Sequence, residues 1–176
     1  METFRTSDTL EVESAPRAGL DRVAVAIATG AGAGFVPAAP GTAGSLVGIL
    51  LYLLVAWTGM ERFYLPLVAV LLALGTWAAG RVERFYGHDA SRIVIDEVVG
   101  QMLALGFVAR AGLPALLLGA IPGFLIFRFF DILKPFPLRR LEKLQGGFGV
   151  MGDDVGAGMY TLLSLLVLEP LLSRLL

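Results

Sequence analysis

Five stretches of this chain are long and apolar: Ala43–Thr58, Phe63–Gly80, Val98–Ala109, Leu113–Leu133 and Val155–Leu172. They dominate what the chain can become. A 176-residue soluble core cannot hide that much apolar surface when only 16% of residues are charged, against ~25% in ordinary soluble domains. The bilayer is therefore the expected solvent. Inside it every backbone polar group needs an internal partner, which selects helices here. The expected fold is all-α and polytopic, with about five transmembrane helices. The third stretch holds 12 residues, short of the ~20 a crossing needs. It spans only if its helix starts near Ser91 and takes in Asp96 and Glu97. Val23–Val36 is too short and too Gly-rich to cross and is expected as an interfacial or re-entrant segment. Residues 1–20 are polar and lack an apolar h-region, so they are expected as a poorly ordered, non-membrane tail rather than a signal peptide. Residues 21–176 then form one membrane-embedded domain. Trp57, Tyr64 and Trp77 fall near expected span ends, where interfacial aromatics gather.

Charge orients this layout. With five spans and a cytoplasmic N-terminus, the inside holds Arg5, Arg17, Arg22, Arg81, Arg84, Arg92, Arg128, Lys134, Arg139, Arg140 and Lys143. The outside holds Arg62, Arg110 and Arg174. Eleven against three follows the positive-inside rule. The polar motifs then share the cytoplasmic side.

Composition removes several chemistries. The absence of cysteine excludes disulfides, thiolate zinc sites, iron–sulfur clusters and cysteine nucleophiles, and a single histidine excludes mechanisms needing two. A net charge of −1 argues against a nucleic-acid partner. Nothing in the sequence indicates an oligomer, and none is excluded.

Acidic groups remain. Asp96-Glu97 opens one span, Asp131 closes another within RFFDILKPFP, and Asp153-Asp154 opens the last after GGFGVMG. A carboxylate at a bilayer edge is costly unless paired or ligating. Local pairing (Asp131 with Arg128 or Lys134, Asp96 with Arg92) accounts for single residues. It does not account for three acidic motifs on one face. Hard oxygen donors favour Mg²⁺. Arg128 and Asp131 share a helix face one turn apart, and Pro135 stops that helix, leaving Lys134 as its expected last residue. An arginine fork suits phosphate, although arginine also snorkels to interfaces. Thr29–Ser45, TGAGAGFVPAAPGTAGS, is no Walker loop. Its Thr42 or Ser45 can cap the following helix, whose free N–H groups favour an anion. Gly44 and Gly48 equally suit close helix packing. His88, in a loop beside Asp89, is either a proton donor or polariser of water, or simply a surface residue.

Taken together, GAGFVPAAPGTAGSL, HDASRIVIDEVVG, GFLIFRFFDILKPFPLRRLE and GGFGVMGDDVGAG resemble the phosphatidylglycerophosphatase A family, bacterial Mg²⁺-dependent membrane lipid phosphatases. The resemblance covers about residues 30 to 160, in the family's order and spacing. It implies removal of the terminal phosphate of phosphatidylglycerol phosphate to give phosphatidylglycerol, at the cytoplasmic face of the bacterial inner membrane. On that reading Glu97, Asp131, Asp153 and Asp154 hold Mg²⁺ and activate water, while Asp96 ligates or orients a ligand. Arg128 and Lys134 neutralise the phosphoryl group, and Gly41, Thr42 and Ser45 contact phosphate or headgroup. His88 is a candidate acid. Two alternatives stand beside it. A small Mg²⁺ or ion transporter would place its acids at mid-bilayer, with inverted repeats. A CDP-alcohol phosphotransferase would carry a run of spaced aspartates along adjoining helical turns that this chain lacks.

Overall fold

The computed structural model describes residues 19–87, 90–106 and 113–172, with side chains undescribed at 113–118 and 169–172. The described residues form seven helices and no strand: α1 Gly19–Ala28, α2 Pro40–Trp57, α3 Tyr64–Tyr86, α4 Ile95–Leu105, α5 Leu113–Leu133, α6 Leu138–Leu141 and α7 Gly147–Leu172. Short 3₁₀ turns at Ala33–Phe35 and Glu61–Phe63 precede α2 and α3. Most of the N-terminal tail lies outside the described residues, and Gly19 and Leu20 already belong to α1.

Local sequence sets the boundaries. Pro40 opens α2, where its fixed φ suits the first helical position. Beyond its end, Gly59 takes φ +68°, the left-handed turn that lets the chain reverse. Helix α5 stops at Leu133. Lys134 is therefore not its last helical residue but the left-handed residue after it, at φ +45°, with its N–H donating to the Phe130 carbonyl at 2.8 Å. Pro135 cannot continue the helix.

Among the described residues, three helices are long and apolar enough to cross a membrane: Pro40–Trp57, Glu61–Tyr86 and Gly147–Leu168. The expected third span is the main correction. Helix α4 starts at Ile95, not near Ser91, and has 11 residues, about 16 Å. It is not a lipid-facing crossing. Nine of its residues are buried, because α2, α3, α5 and α7 all pack against it. The fourth stretch is α5, 21 residues interrupted by Pro122.

Small residues allow this central packing. A Cβ at Gly44 would stand 2.8 Å from the Val94 carbonyl oxygen, and one at Gly48 2.7 Å from that of Val98. On the other side of α4, a Cβ at Gly100 would stand 2.6 Å from the Asp154 carbonyl oxygen. Glycine is what brings α2 and α7 into backbone contact with α4. Large apolar residues point outward instead, including Leu46, Leu50 and Leu54 on α2, Leu65, Val70 and Leu74 on α3, and Leu163 and Val167 on α7. A soluble protein would not leave such faces to water; they suit lipid.

One of the three expected interfacial aromatics departs from that reading. Trp57 ends α2 and is exposed, but Tyr64 is buried, and its hydroxyl donates to the Met102 carbonyl at 2.5 Å. Trp77, on α3, is exposed like Trp57. The Gly-rich segment before α2 is helix α1 plus a turn. Buried Asp21 clamps α1 to α3, accepting from Arg81 Nε at 2.7 Å and Arg84 Nη2 at 2.6 Å. The Val94 N–H donates to the Ala28 carbonyl at 2.8 Å, and Gly34 sits against the Arg92 backbone. The turn thus packs on the approach to α4 and delivers Pro40-Gly41 beside it.

Candidate metal centre

Four elements meet at the N-terminal end of α4. Its first turn supplies Asp96 and Glu97, favourably placed at the positive end of the helix dipole. Helix α7 supplies Asp154. One carboxylate oxygen from each of Asp96, Glu97 and Asp154 lies within 4.8 Å of the others. Asp131, near the end of α5, acts electrostatically on both Asp154 and Glu97.

Asp96, Glu97 and Asp154 are not neutralised by local bases in the way simple ion pairing requires. Asp96 Oδ1, Glu97 Oε2 and Asp154 Oδ1 are buried without a hydrogen-bond partner. A buried carboxylate left so is strongly unfavourable. Burial, then the neighbouring Glu97 and Asp154 carboxylates, pushes the Asp96 carboxyl well above the usual range. Burial raises Glu97 as well. Arg92 does not reach Asp96; its guanidinium faces the rings of Tyr86 and Phe35. Three orphaned oxygens converging from two helices, with no nitrogen or sulfur donor among them, suit a hard divalent cation such as Mg²⁺.

Arg128 Nη1 ion-pairs with Asp131 at 2.7 Å. Gly41 closes the same corner. A Cβ there would overlap Glu97 Oε1 and stand 3.3 Å from Arg128 Nη1. The Gly-rich segment therefore splits into two roles along α2. Gly41 abuts the acidic cluster, whereas Gly44 and Gly48 serve helix packing. Thr42, next to Gly41, is half-buried. Ser45 is fully buried, and its hydroxyl donates to the Gly41 carbonyl at 3.1 Å. It supports the corner rather than opening onto it.

Asp153 is set apart from the expected ligand set. Its carboxylate takes the Lys134 ammonium at 2.7 Å, and Glu142 takes the same ammonium at 3.1 Å. Burial alone would lower the Lys134 ammonium, but these two carboxylates outweigh it and hold it above the ordinary lysine range. Lys134 thus ties the end of α5 to α6 and α7 rather than standing free beside Arg128. His88 lies outside the described residues. Sequence reasoning missed Glu142 in this clamp. It also missed Gln101, fully buried one turn along α4 from Glu97, with neither amide atom partnered. A lone amide within an apolar stretch was the available signal.

The profile of the family described as Phosphatidylglycerophosphatase A matches residues 26–169. A Bacteroides thetaiotaomicron protein named "Putative phosphatidylinositol-3-phosphatase" is 42% identical over 147 residues, 81% of this chain and 91% of its own. Phosphatidylglycerophosphatase A of Haemophilus influenzae is 40% identical, over 81% of this chain and 86% of its own. The Escherichia coli protein of that name is 33% identical, over 76% of each. No solved structure matches the chain.

Proposed function

The chain belongs to the phosphatidylglycerophosphatase A family, and from that premise we propose that it hydrolyses the terminal phosphomonoester of phosphatidylglycerol phosphate. The products are phosphatidylglycerol and inorganic phosphate. The observation that carries the chemistry is the trio of buried, unpartnered carboxylate oxygens on Asp96, Glu97 and Asp154. In this reading Asp96, Glu97 and Asp154 hold Mg²⁺, with Asp131 completing the acidic wall. When bound there, the ion would supply polarisation of phosphoryl oxygens and a lowered pKa for its water. Arg128, fixed by Asp131, presents its planar fork to the phosphate. Gly41 leaves the space in which Glu97 and Arg128 stand side by side, and Thr42 faces the headgroup. Lys134 acts indirectly, holding Asp153 and so the first turns of α7 that carry Asp154. The site opens at the cytoplasmic face of the inner membrane, where the basic loops gather.

The Bacteroides relative's name favours a second substrate, a lipid whose inositol ring carries the phosphomonoester. Both substrates share the bond to be cut and differ in the leaving alcohol. The test is phosphate release by the detergent-solubilised protein from each lipid, with Mg²⁺ and with EDTA. The expected result is Mg²⁺-dependent release from phosphatidylglycerol phosphate, abolished in Asp154→Asn. Preference for phosphatidylinositol 3-phosphate would reassign the substrate. Undiminished release in EDTA would remove the metal from the scheme, and no release from either lipid would favour a transporter.

A further inference from the structure

Beyond the acidic cluster, the corner between α5 and α6 forms a separate cleft. It measures about 400 Å³ and is lined by Leu133, Lys134, Pro135, Phe136, Pro137, Arg139 and Arg140. Its walls are tied down from several directions. The Tyr160 hydroxyl on α7 donates to the Phe136 carbonyl at 2.9 Å. Leu138 is buried against Gly156 of α7. Arg139 Nη2 donates to the Leu133 carbonyl at 3.3 Å. The Arg140 guanidinium lies 4.8 Å from the centre of the Phe136 ring.

Charge in this cleft is uneven. The Lys134 ammonium is spent on Asp153 and Glu142. Arg139 and Arg140 are both exposed, and neither has an acidic partner among the described residues. Around them lies an apolar skirt: Ile132, Phe136 and Phe148 are more than 70% exposed, with Leu133 and Leu144 about half exposed. Two unpaired guanidinium groups above such a skirt match one ligand chemistry, a phosphate ester carrying acyl chains. A water-soluble anion would have no use for the skirt, and a zwitterionic headgroup would offer the arginines a compensated charge.

We propose that this cleft is a second, non-catalytic lipid site, in which Arg139 and Arg140 hold the phosphodiester of an anionic phospholipid while its chains lie along Ile132, Leu133 and Phe136. The proposal rests on the membrane reading above. It does not rest on the phosphatase reading, because none of the metal-cluster carboxylates takes part. A bound lipid here would brace the loop that runs from Asp131 to Asp153. Each juxtamembrane arginine adds attraction to an anionic leaflet, screened by salt.

The test is thermal melting of the full chain in detergent with phosphatidylglycerol, phosphatidylcholine or inorganic phosphate added. Phosphatidylglycerol should raise Tm by several degrees, and phosphatidylcholine and inorganic phosphate should not. The shift should shrink as NaCl is raised, disappear in the Arg139→Gln/Arg140→Gln double variant and survive in Asp154→Asn. An equal shift with phosphatidylcholine, or a shift retained in the double variant, would overturn the proposal. So would a salt-insensitive shift, or one reproduced by inorganic phosphate alone. If the double variant melts early without lipid, the salt and phosphatidylcholine arms on the wild-type chain decide. Failure to cleave phosphatidylglycerol phosphate would sink the phosphatase reading and leave this melting result standing.

Discussion

Replacing Gly41 with alanine separates the integrity of the site from the integrity of the fold. The added Cβ would overlap Glu97 Oε1, standing 3.2 Å from Glu97 Cδ and 3.3 Å from Arg128 Nη1. Restoring an ordinary contact requires the carboxylate to retreat by about 1 Å. That retreat is cheap for the fold, since the obstructed atom is the far end of a flexible side chain. Alanine in a helix is also favoured over glycine by about 0.5–1 kcal/mol. Gly41→Ala should therefore melt at or slightly above the wild-type temperature. The same 1 Å falls on a residue of the metal cluster and on the arginine beside it. Misplacement of that size costs about 10²-fold in rate, or about 2.7 kcal/mol of barrier. The assay is phosphate release from phosphatidylglycerol phosphate in mixed micelles, titrated with Mg²⁺, beside thermal melting. kcat/KM should fall about 100-fold, and half-activation should need more Mg²⁺. Activity within twofold of wild type would refute the placement of Gly41 against the working carboxylate. A fall in Tm of several degrees would mean that the Cβ strikes packing instead.

Gly44→Ala should do the reverse, because its Cβ meets the Val94 backbone oxygen at 2.8 Å and the Val94 Cβ at 2.9 Å; a stability loss of about 1–3 kcal/mol is expected, checked by melting. Arg128→Lys keeps the charge and loses the fork, so kcat/KM should drop at least ~10-fold with Tm unchanged, and wild-type kinetics would reduce Arg128 to a point charge. For pH, Asp96 and Glu97 have carboxyls raised above their ordinary values near 4. Between those values and the raised ones the folded chain binds more protons than the unfolded chain, so metal-free stability falls as pH rises through the window. Mg²⁺ needs the deprotonated groups, so its contribution to Tm should grow as pH rises through that window; a pH-independent gain would count against these ligands. The C-terminal end of α3 lies beside the start of α7, where a Cβ at Gly80 would stand 3.0 Å from the Gly147 nitrogen. Single cysteines at Gly87 and Gln145 should thus label from one side of the membrane and one at Gly59 from the other.

Much of this was legible in the chain, for reasons that differ by residue. The long apolar helices announce themselves through composition, and Asp96-Glu97, Asp131 and Asp153-Asp154 through the penalty on acids near lipid. Which acids face one another was not legible. Asp153 and Asp154 are adjacent, and a helix turns consecutive side chains about 100° apart, so one faces the cluster and the other faces Lys134. Tertiary packing decides which. Helix α4 escaped because hydropathy measures how apolar a segment is, not what solvates it. Surrounded by four helices, an 11-residue apolar helix needs no bilayer thickness. Glu142 escaped because its partner lies on a different element.

The brevity and burial of α4 also bear on how the molecule is made. An 11-residue helix opening on two acids is a poor substrate for independent insertion, which rewards long, uncharged segments. In a two-stage view, α2, α3 and α7 can each enter the bilayer alone and associate afterwards. Helix α4 has no such first stage, since its resting place exists only once its neighbours have gathered. In that view the acidic cluster is one of the last features to form. A chain arrested before α7 emerges would carry Asp96, Glu97 and Asp131 but lack Asp154, leaving the acidic cluster incomplete.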